Sequence, residues 1–436
     1  MITYEPDDLT ITVEAGMTLG DLQALVAAKG QMLPLDRSTA ATATLGSLVA
    51  TAADGPRRLG YGTLRDWVLG LTLVEADGTL VRVGAQVVKN VTGYNLPRLL
   101  VGSRGSLAII VAVSLRLFPR PPHSATLALV FAHQASAFAL LDQLAASRLQ
   151  PVAAEYVAGR RGEEDAGRRG RGDAERRGEE DVGRRGRGEA GTRGGGDAGR
   201  RGGEDVEVQG REDAGRRGGG GAFQPSLNSS HNTASQSALG YNKSSSSRLP
   251  LPASRIPYPA SLVTRHSSLI THRAPTLYIR AEGHAAAVAR HMAELRHYAA
   301  SHGATAIQEF SGADEDALWH AVASISDGPL PDATRRLRLC CHPADLDAAL
   351  ATATASAANH NIQLCVGARA MSGVAYLVAS GNPTDLGAMQ AQLKAQWPHL
   401  YQHDPPDATP IWEQGQAPAL ARAIKDAFDP FGAFGK

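Results

Sequence analysis

The sequence has little of several things that would commit a chain to a particular chemistry. It has three cysteines, Cys340, Cys341 and Cys365, with no CxxC pair and no metal-ligand spacing. Cys340 and Cys341 are neighbours on an expected strand and so point to opposite faces, which suits small buried residues in a reducing compartment. Charge of one sign is also missing: 44 Lys+Arg stand against 43 Asp+Glu, a net charge of +1. Whole-chain electrostatics therefore favour neither nucleic acid nor an acidic partner. The most apolar run, SLAIIVAVSLRLF (106–118), is too short to span a bilayer and carries Arg116. The N-terminus, MITYEPDDLTITV, has no basic segment followed by an apolar core, so a cytoplasmic chain is expected, with membrane contact only through a partner. Neither GxGxxG nor GxxxxGK[ST] occurs in the glycine-rich region, which argues against Rossmann and P-loop folds.

What is present reads as an α+β chain. In residues 1–120, short strands and helices alternate. ITVEAG (11–16) is a strand, Thr18 can cap the following helix, and Gly30 stops it. VLGLTLVEADGTLVRVG (68–84) is two β-rich runs around Asp77-Gly78, a hairpin signal. The run 106–119 is a strand pair or one bent strand ending at Pro119. Residues 124–157 give strand, helix, strand, and order signals return at TLYIRAEG (276–283). From there to the C-terminus strands and helices alternate again, including an expected hairpin at 362–379 and a helix with Pro343 in its first turn.

Between these stretches the composition changes abruptly. Residues 159–222 are eight successive octapeptides such as GRRGEEDA and GRRGRGDA, without aromatics, and the stretch that follows is rich in Ser, Asn and Pro. Such a segment cannot bury enough apolar area to offset about 1–2 kcal/mol of ordering per residue. Residues 158–275 are therefore expected to be a disordered insert, tolerated because closure entropy grows only logarithmically with length. Arg-Gly repeats can engage RNA, but most units here carry their own Asp or Glu, which cancels the field that would draw phosphates. No nucleic-acid partner is expected.

The informative region is 34–110, with three glycine-centred segments: TLGSLVATAADGP (44–56), GYGTLRDWVLG (60–70) and VVKNVTGYNLPRLLVGSRGSLAII (87–110). Glycine permits positive φ and lets backbone approach a ligand closely. A stretch such as VGSRGSLA can set several amides around phosphate or flavin oxygens. On physical grounds two readings stand, a backbone-lined anion site or the tight turns of an α/β domain.

Together with EPDDLTITVEAGMTLGDLQ (5–23), these segments resemble the FAD-binding domain of the PCMH-type (vanillyl-alcohol-oxidase) flavoproteins. With GQMLP (30–34) and GPRR (55–58), they are most similar to the FAD-binding subunits of glycolate oxidases. The likeness covers 1–157 and, more weakly, 276–434, where AIKDAFDPFGAF stands for the family's DPxGxFNPGR. It implies the second half of a PCMH-type FAD-binding domain over 1–120, the family's pyrophosphate-wrapping Gly-rich loop belonging to a segment N-terminal to it. A ferredoxin-like α+β domain is implied over 121–157 and 276–436, interrupted by the insert.

Carried over by position, the resemblance places Pro34, Thr44, Leu45, Gly46 and Ser47 beside the flavin ring and diphosphate. Gly55, Tyr61, Gly62 and Asp66 would shape the pocket floor. Lys89, Asn90, Gly93, Tyr94, Gly102, Ser103, Gly105 and Ser106 would line the FAD channel, with Ile109 or Ile110 touching the cofactor through backbone. Ser47 and Ala108 stand where the family more often has glycine. The implied partners are a catalytic flavoprotein subunit, an iron–sulfur subunit and, at the level of the complex, a small 2-hydroxy acid.

Oxidation of such an acid needs a base near the hydroxyl and a cation for the carboxylate. Catalytic subunits of the related family carry HPGDGNxH and EHG-type motifs, and this chain has neither. His291, His297 and His302 fall on one expected surface helix. His399 and His403, four apart, have metal-compatible spacing but no third ligand, so no metal is expected. Arg335, Arg336 and Arg338 are either a solvated strand end or a cluster that meets an anion. The missing motifs favour an accessory flavin subunit. A self-sufficient hydroxy-acid or alcohol oxidase and a non-enzymatic Arg/Gly-repeat binding chain are the rival readings.

Overall fold

A computed structural model describes residues 2–84, 95–159, 274–404, 418–429 and 433. Of the expected insert 158–275, residues 160–273 lie outside the described residues, as do Lys89, Asn90, Gly93 and Tyr94, while Ala158 and Gly159 are the paired end of a strand rather than part of the insert.

The first sheet has five strands in the order β1-β2-β6-β4-β5. They are β1 (Thr3–Glu5), β2 (Thr10–Glu14), β4 (Val68–Val74), β5 (Leu80–Gly84) and β6 (Ile109–Arg116), while β3 (Gln31–Met32) pairs separately with β7 (Phe118–Pro119). The β4–β5 hairpin turns at the expected Asp77-Gly78: the Asp77 carboxylate accepts from Thr79 N at 2.8 Å, and Gly78 takes φ 86°. One face of the sheet is covered by α1 (Leu19–Ala27), α2 (Leu45–Ala50), α4 (Leu64–Trp67) and α5 (Leu96–Leu100) around a core of Ile11, Val13, Leu22, Leu45, Leu71 and Val113. The short α3 (Arg58–Tyr61) precedes α4. Each such aliphatic side chain contributes about 1.5–3 kcal/mol on burial. The other face is partly open: Leu80, Ile109 and Val111 are 60%, 54% and 41% exposed.

The second sheet has eight strands, all paired antiparallel, and its order reveals a repeat. The first half runs β8 (His123–Phe131), α6 (Gln134–Ala146), β9 (Ala153–Gly159), β10 (Thr276–Gly283), α7 (Ala285–Ser301), β11 (Ala304–Phe310), in the spatial order β11-β8-β10-β9. After α8 (Gly312–Asp327), the second half runs β12 (Thr334–Cys340), α9 (Leu346–Asn359), β13 (Gln363–Arg369), β14 (Val374–Ser380), α10 (Pro383–Gln396), β15 (Leu400–Asp404), in the order β13-β14-β12-β15. Each half is a βαββαβ unit with the fourth strand beside the first, so the ferredoxin-like expectation describes both halves. They join where the second strand of each, β9 and β13, pair. The insert leaves and re-enters between β9 and β10, which are hydrogen-bonded neighbours with Val157 opposite Thr276. It therefore takes the place of a hairpin turn.

Helices α6, α7, α9 and α10 pack on one face of this sheet, through Leu140, Met292, Leu350 and Met389 among others. Helix α8 packs on the opposite face through Leu318, Trp319, Val322 and Ile325. Cys340 and Cys341 do point to opposite faces, one toward each core. The last helix, α11 (Pro418–Phe428), returns to the first domain and packs Ile424 and Phe428 on its core. Among the described residues no helix is long and apolar enough to cross a membrane.

Candidate functional site

The glycine segments of the first domain are drawn together by main-chain bonds. Gly46 N donates to Ala15 O at 2.8 Å and Leu45 N to Met17 O at 2.8 Å, so the start of α2 lies on the turn that follows β2. Thr44 caps α2, accepting from Ser47 N, and the Ser47 hydroxyl donates back to Thr44 O at 2.7 Å. A Cβ at Gly46 would sit 2.8 Å from the Ala15 Cβ, so only glycine allows this approach. Gly102 N and Arg104 N donate to Val49 O (3.0 Å) and Ala50 O (2.7 Å), which lays the loop 102–106 along the end of α2. Pro34 is buried two residues before Asp36, whose carbonyl would lie 2.7 Å from a Cβ on Gly55. Ile109 and Ile110 open β6, and Val111 O accepts from Ala15 N, which ties them to the same corner.

Thr44–Ser47, Gly102–Ser106 and Ile109–Ile110 are thus tied to α2 and the turn after β2, while Pro34 and Gly55 lie together at Asp36. Two expectations change in detail. The amides of Gly102, Ser103, Arg104 and Ser106 already donate to carbonyls within the chain, because the loop is folded as turns against α2. What the loop offers a ligand is the buried Ser103 hydroxyl, which has no hydrogen-bond partner, and the Arg104 side chain. Asp66 and Gly62 serve local structure: the Asp66 carboxylate accepts from Thr63 N and Oγ1 (3.0 and 2.8 Å), and Gly62 makes its turn at φ 83°. Tyr61 faces the second sheet, donating to Glu282 at 2.7 Å.

The second sheet turns a polar face toward this domain, and here lie residues that sequence reasoning missed or left open. On the side of the first half, Arg280 binds Glu315 (3.0 Å) and lies 5.3 Å over the Trp319 ring. Glu315 also accepts from Thr126 and Ser124 at 2.6 and 2.9 Å. Arg57, from the first domain, binds both Glu282 at 2.8 Å and Asp36. Asp327, at the end of α8, receives Arg37 at 2.8 Å together with the Ser38 and Thr39 hydroxyls.

On the side of the second half, Asp54 is the hub. Its carboxylate lies 2.8 Å from Arg58, 3.2 Å from Arg369 and 3.7 Å from Arg338, and accepts from the Tyr376 hydroxyl at 3.3 Å. Arg369 lies 4.9 Å over the Tyr376 ring, and His403 meets the same ring edge-on at 5.6 Å. Arg336 is buried with its guanidinium on the carbonyls of Ile325 and Gly328, at the C-terminal end of α8. Arg335 projects elsewhere, to Gln390 at 3.3 Å. The expected basic cluster is therefore no solvated strand end, for Arg336 and Arg338 point into the protein. Asp54 itself gave no motif signal; only its place before Gly55 and Arg57-Arg58 marked it.

The charge surplus shapes the titrations. Burial pushes Asp54 up, but Arg369, Arg338 and Arg58 outweigh it and hold the carboxyl at about 2. Glu155 is pushed up to about 7 by burial, with Arg369 4.0 Å away opposing the rise. Between Glu155, Arg369, Tyr376 and Ser326 lies a void of about 10 Å³, room for one water near the unpartnered Glu155 Oε1. His403 is lowered to about 4 by burial and by Arg338, Arg336, Arg104 and Arg37. Among the described residues no group of three His, Cys, Asp or Glu could hold a metal ion.

The comparisons with known proteins agree with the first corner. Residues 1–84 match the family model described as FAD binding domain. The chain is 37% identical over 153 residues to the glycolate oxidase subunit GlcE of Escherichia coli (strain K12), covering 35% of this chain and 43% of that protein. It is 32% identical over 157 residues to the glycolate oxidase subunit GlcD of Bacillus subtilis (strain 168), 36% of this chain and 33% of that one. It is 38% identical over 159 residues to a D-lactate dehydrogenase of Archaeoglobus fulgidus, 36% of this chain and 35% of that enzyme. The chain thus matches less than half the length of each of these relatives. In structure it is similar to an alkyldihydroxyacetonephosphate synthase, with a TM-score of 0.54 at 13% identity, over 98% of this chain and 64% of that one, a likeness of fold alone. The residues present fit the cofactor: a glycine-only approach at Gly46, left-handed turns at Gly102 and Gly105, and an unpaired buried hydroxyl at Ser103. Residues 1–84 of this chain thus carry the likeness to FAD binding domains, and the cofactor is FAD.

Proposed function

We propose that the chain is the FAD-binding subunit of a complex that oxidises glycolate, or a closely related 2-hydroxy acid, to the 2-oxo acid. Electrons would leave through an iron–sulfur partner, and a second flavoprotein subunit would carry the catalytic histidines. The observation that carries this reading is the likeness of the first third of the chain to two glycolate oxidase subunits, in a sequence without HPGDGNxH or EHG motifs. FAD supplies the electron acceptor in such chemistry. In this chain Pro34, Thr44, Leu45, Gly46, Ser47, Gly55, Lys89, Asn90, Gly93, Tyr94, Gly102, Ser103, Gly105, Ser106, Ile109 and Ile110 would hold it. Tyr61, Gly62 and Asp66 act one step away, through the turns they form. The complex would sit in the cytoplasm and reach the membrane through its partners. The half-exposed Leu80, Ile109 and Val111 offer an apolar surface to such a partner. Co-expression with both partners and an assay of glycolate-dependent dye reduction tests the reading: activity should collapse when this chain is omitted, and undiminished activity would contradict it.

A second reading, a self-sufficient hydroxy-acid oxidase, draws support from the arginines on the sheet that faces the flavin domain, since an acid substrate needs a cation for its carboxylate. It requires that the purified chain alone be yellow and that a 2-hydroxy acid bleach it without oxygen. A flavin that stays oxidised under those conditions favours the accessory role.

A further inference from the structure

The guanidiniums of Arg58, Arg338 and Arg369 and the Tyr376 hydroxyl converge on one carboxylate, and that carboxylate belongs to the chain. Three cations and a phenol around two carboxylate oxygens is a donor set suited to a small carboxylic acid. Asp54 is 5% exposed, and its carbonyl oxygen is held as well, by Arg369 and Arg37 at 3.2 Å each. The backbone there is thus fixed while the carboxylate sits among the three guanidiniums. Arg338 is the loosest of the three, with its Nε buried and without a partner. Charge is left over: Arg58, Arg338 and Arg369 face Asp54, with Glu155 the nearest other acid.

We infer that this cluster is a binding site for small carboxylates that the chain keeps closed with its own Asp54, an internal stand-in for the ligand. A free carboxylate of formate, acetate or glycolate size enters only where the Asp54 side chain is absent. The inference rests on the arginine geometry, and with Asp54 in place it leaves Arg338 and Arg369 unavailable to the substrate of a self-sufficient oxidase.

The test is chemical rescue. Asp54→Ala leaves Arg58, Arg338 and Arg369 without their shared anion, so its melting temperature in chloride should fall well below that of the parent. Acetate, formate or glycolate should restore part of the loss, by a saturable rise of a few degrees beyond sodium chloride of equal ionic strength. The parent should show no carboxylate-specific rise, and Asp54→Ala with Arg369→Gln should lose the rescue. If Asp54→Ala does not fold in chloride, the comparison moves to refolding yield in acetate against chloride, with a gain in acetate as the expected result. Rescue no better in carboxylate than in chloride overturns the inference. So does an equal carboxylate-specific rise in the parent, which would mean that the site is open.

Discussion

The two ferredoxin-like halves of the large sheet share a topology and differ in charge. The first half sets one arginine, Arg280, among Glu282, Glu315 and, at 3.8 Å, the exposed Asp316. On the same side of the second half stand Arg336, Arg338 and Arg369; Arg336 meets backbone carbonyls, and the carboxylates that Arg338 and Arg369 meet come from outside that half: Asp54 from the flavin domain and Glu155 from the first half. The flavin domain answers with opposite signs, Arg57 toward the first half and Asp54 toward the second. Buried ion pairs add little net stability against a well-packed apolar alternative, but breaking one leaves an uncompensated charge. Their lesson here is register: the flavin domain fits the repeat in one orientation, although the backbone of the two halves is alike.

The comparison can be broken at its most buried point. Arg280→Met should destabilise the protein by about 3–5 kcal/mol in denaturant unfolding, since Glu315 is left buried without its cation while Glu282 keeps Arg57. A loss under 1 kcal/mol would show that the first half does not need its charge balance.

The titrating groups near the second-half arginines offer a sharper probe. Glu155 has its folded pKa raised from 4.5 to about 7, so the native state holds more protons in that window and stability falls as pH rises through it. His403 is lowered from 6.5 to about 4, so its contribution is lost as pH falls through nearly the same window. Each change amounts to about 3 kcal/mol across its window and the signs oppose, which predicts a nearly flat profile between pH 4.5 and 6.5. Glu155→Gln should leave stability rising with pH, and His403→Gln should leave it falling, as read from urea unfolding across that range.

Replacing residues 160–273 with a four-residue turn tests whether the first half is as complete as the second. The fold and flavin content should be unchanged, and stability should gain no more than about 3 kcal/mol from the shorter closure. The smallest effect belongs to Arg338→Gln. Its side chain is 28% exposed and lies 3.7 Å from a carboxylate that two other arginines hold, so a change within about 1 kcal/mol is expected.

Local features were legible in the sequence because their causes are local. Thr18 caps α1 by accepting from Asp21 N, Gly30 ends that segment at φ 66°, and Asp77-Gly78 makes the β4–β5 turn. The glycine segments were legible too, as the place where backbone must come close. The commitment of the loop 102–106 amides to α2 was not, because it depends on what the loop packs against. Nor was the pairing of Asp54 with Arg369, 315 residues away in sequence. The doubled sheet was hidden for a related reason: the β9–β10 hairpin is the strongest sign of the first repeat, and the insert removes its turn signal.

The most direct test of this account is the flavin content of the purified chain. After incubation with excess FAD and gel filtration, denaturation should release FAD in stoichiometric amount, and Gly46→Val should abolish uptake while leaving a folded second sheet. A parent chain that stays colourless and releases no flavin would contradict the account.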